Sequence, residues 1–168
     1  MAIQKKVTMF FTGGTISMKI DPERNAVIPG LNPTDILTTA KGIENFAEIK
    51  AISFGNFAGP QMSCQKMYEL SDAINLELAQ DDTSAVIVTH GTDTLEETAY
   101  FLDLTIKSGK PVVVVGAMRN SSEMGYDGPA NLAGAMITAI SNDSRHRGVL
   151  VVLNNEIKTY LDNTVIFS

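Results

Sequence analysis

The chain has 168 residues, 44% hydrophobic and 19% charged, which suits one globular domain with a full core. A formal net charge of −6 with no basic run argues against nucleic acid and anionic membrane as partners. No apolar stretch reads as a leader or a membrane span, so a cytoplasmic location is expected, and the single cysteine, Cys64, excludes an internal disulfide.

Lys6 to Phe11 reads as a first strand. Thr12-Gly13-Gly14-Thr15 follows as a turn whose glycines permit positive φ and close backbone approach. Ser17 to Gly30 has weak periodicity and reads as a mobile surface loop or a short hairpin. Asn32 followed by Pro33 is a helix start, and Gly42 is a stop. Ala47 to Phe54 reads as a second strand and Asn56 to Met62 as a turn. Ser63 can cap a helix whose apolar stripe is Met67, Leu70, Ile74 and Leu78. Cys64 lies in that pattern and is expected to pack as a small hydrophobe.

Ala85 to Thr89 is an unbroken apolar, β-branched run, the mark of a strand buried on both faces. His90-Gly91-Thr92-Asp93 is a tight polar turn. From Thr94 to about Ile106 the pattern is helical, with Leu95, Ala99 and Leu102 inward. Glu96 and Glu97 sit in the first turn, where the helix dipole favours anions. Val112 to Val115 is another buried strand, and Gly116 to Gly128 is polar loop. Pro129 starts a helix with Leu132, Met136, Ile137 and Ile140 inward. Val149 to Leu153 is a further buried strand, and the tail from Asn154 to Ser168 carries only a weak pattern.

Strands alternating with helices predict an α/β fold: a doubly wound parallel sheet with helices on both faces, in a single three-layer domain. Ligands in such sheets bind outside the C-terminal ends of the strands. The turns Thr12 to Thr15, Thr89 to Thr94 and Gly116 to Asn120 meet that condition, with Asn56 to Met62 as a fourth. A threonine hydroxyl needs a base to act as a nucleophile, and backbone N–H groups in glycine turns can hold an oxyanion. Thr15, Thr92 and Asp93 on converging loops therefore suit attack on an amide or ester carbonyl. Each of them taken alone reads more readily as a turn hydroxyl or helix cap. The phosphate-loop spacing is absent, which disfavours nucleotide binding. His90 reads as a locally hydrogen-bonded histidine, Arg119 and Asp127 as braces. His90 and His146 lack clustered partners, so no metal site is expected.

Two segments make a more specific statement. Phe11-Thr-Gly-Gly-Thr-Ile16 and Val88-Thr-His-Gly-Thr-Asp-Thr-Leu-Glu-Glu-Thr-Ala-Tyr-Phe-Leu-Asp-Leu-Thr105 resemble the two signatures of the bacterial-type L-asparaginase family. Val113-Val-Val-Gly-Ala-Met-Arg119, Asp127-Gly-Pro-Ala-Asn131 and Arg147-Gly-Val-Leu-Val-Val152 match it in order. The resemblance implies hydrolysis of asparagine, sometimes glutamine, to the acid and ammonia through an acyl-threonine intermediate, without a cofactor. It implies Thr15 as nucleophile, Thr92 working with a lysine, and Thr92 and Asp93 on the substrate. Gly14, Gly59 and the Ala117 carbonyl complete the implied substrate contacts. Residues 1–168 would be the family's N-terminal α/β domain, with its smaller C-terminal domain absent. The partners implied are a small amino-acid amide and further copies of the chain, as dimer or tetramer.

The sequence departs from the family pattern in places. The family's Arg-Asp-x-Thr-Lys run aligns with Leu161-Asp-Asn-Thr-Val165, which keeps Asp162 and Thr164 and loses the lysine. A gapped alignment puts Lys158 there instead. The family's carboxylate-binding serine falls on Gly59, and its mobile-loop tyrosine has no counterpart between Ser17 and Gly30. These departures leave two other readings open. One is a catalytically impaired domain that binds a ligand or associates with partners. The other is a relative acting on a larger amide, with Gly59 leaving room for it.

Overall fold

The computed structural model describes residues 5–159 and the backbone of 165–167. β1 (Lys6–Gly13), β4 (Glu48–Phe57), β5 (Thr83–Thr89), β6 (Val112–Val115), β7 (Val149–Leu153), β8 (Glu156–Thr159) and β9 (Val165–Phe167) form one sheet, in the order β4-β1-β5-β6-β7-β8-β9. The first five in that order run parallel, with Phe11 opposite Thr89 and Thr89 opposite Val115. Consecutive strand ends therefore stop at one level and release their loops onto the same rim.

Alternation along the strands divides the core in two. Met9, Phe11, Ile87, Val113, Val115 and Leu150 face α1 (Pro33–Thr39) and α4 (Gly128–Ile140). Phe10, Val86, Val88, Val112, Val114 and Val151 face α2 (Cys64–Leu78) and α3 (Leu95–Thr105). Because both faces are covered along β5, β6 and β7, these strands have almost no polar side, which is why they read as continuous apolar runs. Such side chains stabilise the fold by roughly 1.5–3 kcal/mol each when fully buried.

The helix caps follow the sequence. Asn32 Oδ1 accepts from Asp35 N at 2.9 Å and Asp35 returns the bond to Asn32 N at 3.0 Å, a reciprocal capping box. The predicted stripe of α2 is the buried one, Met67, Leu70, Ile74 and Leu78.

Several details depart from the sequence reading. The segment after Thr15 is the hairpin form of the two options, with β2 (Met18–Asp21) antiparallel to β3 (Ala26–Pro29). The tail is not patternless: β8 and β9 add antiparallel strands, so the sheet is mixed at that edge. Cys64 is exposed, because it lies in the solvent-facing first turn of α2 beside exposed Ser63 and Gln65. Ile137 is 55% exposed. It stands about 100° round the helix from Met136, off the stripe that Leu132, Ala135, Met136 and Ala139 bury.

Candidate active site

The loops after β4, β1, β5 and β6 meet through backbone atoms, and glycine makes each contact possible. Gly14 has φ +79°, and a Cβ there would lie 2.3 Å from both Cα and N of Gly91. A Cβ on Gly91 would lie 3.0 Å from Gly59 Cα and 3.2 Å from Gly14 Cα. One on Gly116 would stand 3.0 Å from His90 O and 3.3 Å from the Thr92 methyl. Any side chain at these positions would push the loops apart.

Hydrogen bonds then fix the register. Gly14 N donates to Phe57 O at 2.9 Å and His90 N to Val115 O at 2.8 Å. Thr12 Oγ1 donates to Thr89 O at 2.7 Å, and Thr94 Oγ1 to Gly59 O at 2.8 Å.

Thr15 opens a 3-10 turn, Thr15–Ser17, directly after Gly14. Ser17 braces this turn, donating from N and Oγ to Gly14 O at 2.9 and 2.8 Å. Its hydroxyl also reaches Asn56 Oδ1 at 3.3 Å. Tyr126 Oη donates to Ile16 O at 2.8 Å from the far side. Burial pushes the Tyr126 phenol up to about 12, so it remains a donor across the ordinary pH range. Thr92 and Asp93 begin the next 3-10 turn, Thr92–Thr94, which leads into α3. Thr15 and Thr92 are half-buried and Asp93 is exposed. Their hydroxyls and carboxylate have no hydrogen-bond partner among the described residues.

Ala117 is fully buried after β6. Asp127 holds the backbone beside it, accepting from Met118 N at 3.0 Å and Arg119 N at 3.0 Å. Asn131 Nδ2 donates to Gly116 O at 3.0 Å and to Asp127 Oδ2 at 2.9 Å. Burial raises the Asp127 carboxyl, but these N–H donors outweigh it and hold the group below the usual carboxylate range. Asp127 is thus a brace, as its sequence position suggested. Arg119 donates to Gly125 O at 3.2 Å within the same loop.

His90 is 1% exposed, and burial holds its imidazole below the ordinary histidine value. Nδ1 lies 2.8 Å from Gly91 O, a pure acceptor, so Nδ1 carries the proton. The ring is a local structural group, as the sequence indicated.

Gly59 stands against the Asp93 side chain. A Cβ at residue 59 would meet Asp93 Cβ at 2.8 Å and Oδ2 at 2.9 Å, so the Asp93 side chain already fills that space. Lys158 is exposed and ion-paired with Glu156 at 3.1 Å. It pairs across the strands with Val165, so the two alignments of the family lysine fall on neighbouring positions. Asp162 and Thr164 lie outside the described residues. Among the described residues no group of three or more His, Cys, Asp or Glu side chains is arranged to hold a metal ion. No helix among them is long and apolar enough to cross a membrane.

Ser17, Tyr126 and Asn131 were not singled out from sequence as site residues. Ser17 carried a faint signal, lying just beyond the Gly13-Gly14 turn at the end of β1. Tyr126 acts through a carbonyl 110 residues away in the chain, which no local pattern reveals.

Residues 6–164 match the family description "Asparaginase, N-terminal". The chain is 40% identical over 153 residues to L-asparaginase 2 of Escherichia coli (strain K12), covering 90% of this chain and 43% of that protein. It is 40% identical over 159 residues to probable L-asparaginase 4 of Schizosaccharomyces pombe, covering 93% and 45%. The crystal structure of a probable cytoplasmic L-asparaginase from Campylobacter jejuni superposes with a TM-score of 0.87 at 35% identity, covering 93% of this chain and 48% of that one. The chain thus spans less than half the length of these relatives.

Proposed function

Because the chain belongs to the asparaginase family, we propose that Thr15, Thr92 and Asp93 form its part of a site that hydrolyses L-asparagine to L-aspartate and ammonia. Thr15 Oγ1 attacks the side-chain amide carbonyl as its proton passes to a base. The carbonyl becomes a tetrahedral oxyanion, held by backbone N–H groups of the glycine turns. Collapse re-forms the carbonyl and expels the nitrogen, protonated, as ammonia. An ester on Thr15 remains. Water adds to that ester, the Thr15–acyl bond breaks, and aspartate leaves. The Asp93 carboxylate is placed to receive the substrate ammonium; Thr92 Oγ1, the Ala117 carbonyl and the backbone at Gly14 and Gly59 hold the remainder. No cofactor is needed for these steps.

One observation carries this reading. Glycine contacts draw these loops onto one rim and leave two threonine hydroxyls and a carboxylate unpartnered among the described residues.

Among the described residues no base is hydrogen-bonded to Thr15 or Thr92, and Lys158 is ion-paired with Glu156, which supports a second reading: a domain that binds the amino acid without turning it over. Ammonia release from asparagine separates the two. Release by the wild-type chain that disappears in Thr15→Ala supports hydrolysis. Saturable aspartate binding without ammonia or an acyl-enzyme mass on Thr15 supports the second reading.

A cytoplasmic location accords with the Campylobacter jejuni relative, a probable cytoplasmic L-asparaginase, although another relative is a probable periplasmic L-asparaginase of Haemophilus influenzae. We further propose self-association as a dimer or tetramer. Exposed Met118 and Met124 beside the site support it, and sedimentation tests it.

A further inference from the structure

The opposite rim of the sheet holds a polar cavity of about 280 Å³. Lys5, Lys110 and Arg145 line it, against one acid, Asp81. Lys5 Nζ donates to Ile140 O and to Asn142 Oδ1. Lys110 Nζ donates to Leu78 O at 2.8 Å and Gln80 O at 2.7 Å. These acceptors are neutral. They aim the ammonium groups but leave both charges uncompensated, and each ammonium keeps a third N–H. The Arg145 guanidinium has no partner among the described residues, and no ion pair there joins Asp81 to any of the three cations. Lys6, close by, is already paired with Asp82 at 2.6 Å.

Capping the C-terminal carbonyls of α2 and α4 accounts for the two lysines. It accounts neither for Arg145 nor for Thr83. Thr83 also lines the cavity, is 1% exposed, and its hydroxyl has no partner among the described residues. Ser84 Oγ accepts from Lys6 N at 3.3 Å, which leaves its own proton available to donate. Positive charges and hydroxyl donors gathered in one cavity, on a chain whose net charge is −6, match a small oxyanion.

We propose that this cavity is a binding site for a small oxyanion, a phosphate or a free carboxylate, distinct from the rim that carries Thr15. The ligand would link the starts of β1, β5 and β6 to the segment after α4. Binding to the folded state alone would raise the unfolding midpoint.

The test is calorimetric titration of the 168-residue chain with inorganic phosphate and, separately, with L-aspartate, at constant ionic strength set with chloride. Amide shifts of Thr83 and Ser84 locate the binding. Saturable phosphate binding that moves those amides supports the site. The same movement with aspartate makes a carboxylate the second source; movement with phosphate alone assigns the site to phosphate. Arg145→Gln should weaken binding about tenfold, Arg145→Lys should retain most of it, and Thr15→Ala should leave it unchanged. Arg145 is exposed and its guanidinium makes no bond among the described residues, so these variants should fold. The proposal is overturned if neither anion moves Thr83 and Ser84 saturably, or if Arg145→Gln binds as tightly as wild type.

Discussion

The two rims of this sheet use the same strands and opposite materials. On the C-terminal rim, loops touch backbone to backbone through Gly14, Gly59, Gly91 and Gly116. On the N-terminal rim, lysine side chains reach across to satisfy helix carbonyls, as Lys110 does for Leu78 and Gln80. The first arrangement takes its side-chain bonds from Thr12, Thr94, Ser17 and Tyr126, and the side chains of Thr15, Thr92 and Asp93 have no partner among the described residues. The second uses its side chains for capping.

Gly14→Ala tests this division most severely. The added methyl meets Gly91 backbone at 2.3 Å in a residue at φ +79°, so neither neighbour nor torsion can accommodate it. The expected loss is about 3 kcal/mol or more in urea unfolding, together with loss of ammonia release. Equal stability would mean that the loops are not held by this contact.

Thr15→Ala should separate activity from fold. Turnover should drop by about three orders of magnitude or more, while stability stays within about 0.5 kcal/mol, since the hydroxyl has no protein partner among the described residues. A large stability loss would make Thr15 a structural hydroxyl.

Tyr126→Phe removes the donor to Ile16 O and should cost about 1 kcal/mol, with a partial fall in turnover because the Thr15 turn loosens. Unchanged kinetics and stability would show that Ser17 alone holds the turn.

His90 supplies the smallest effect. Its imidazole titrates below the ordinary value in the folded chain, so the unfolded chain takes up the proton first as pH falls. Stability contributed at neutral pH should decline below about pH 6.5 and onward through the folded-state value. The urea midpoint should fall between about pH 7.5 and 5.5, and by less in His90→Gln. Identical slopes in the two proteins would place the titration elsewhere.

Much of this was legible in the sequence, and for definite reasons. Strands buried on both faces must be apolar throughout, so Ala85 to Thr89 and Val112 to Val115 declared themselves. Glycines at strand ends marked the close approaches, and the asparaginase-like motifs named the same turns. The misses share a cause. Cys64 and Ile137 are apolar residues at helical positions that no sheet covers, and periodicity alone does not see what stands opposite. The tail's β8 is an edge-side strand with mixed polarity, so its pairing with β7 left little trace in composition.

The order of elements, most of the helix stripes and the turns that carry the proposed chemistry were therefore set by local pattern, because each depends on residues close in the chain. Partnership was decided only in three dimensions. That Tyr126 grips Ile16, that Gly59 gives its space to Asp93, and that Lys158 pairs in register with Val165 are relations between distant or cross-strand residues. Such contacts depend on the relative placement of whole strands and loops, which no window of sequence encodes.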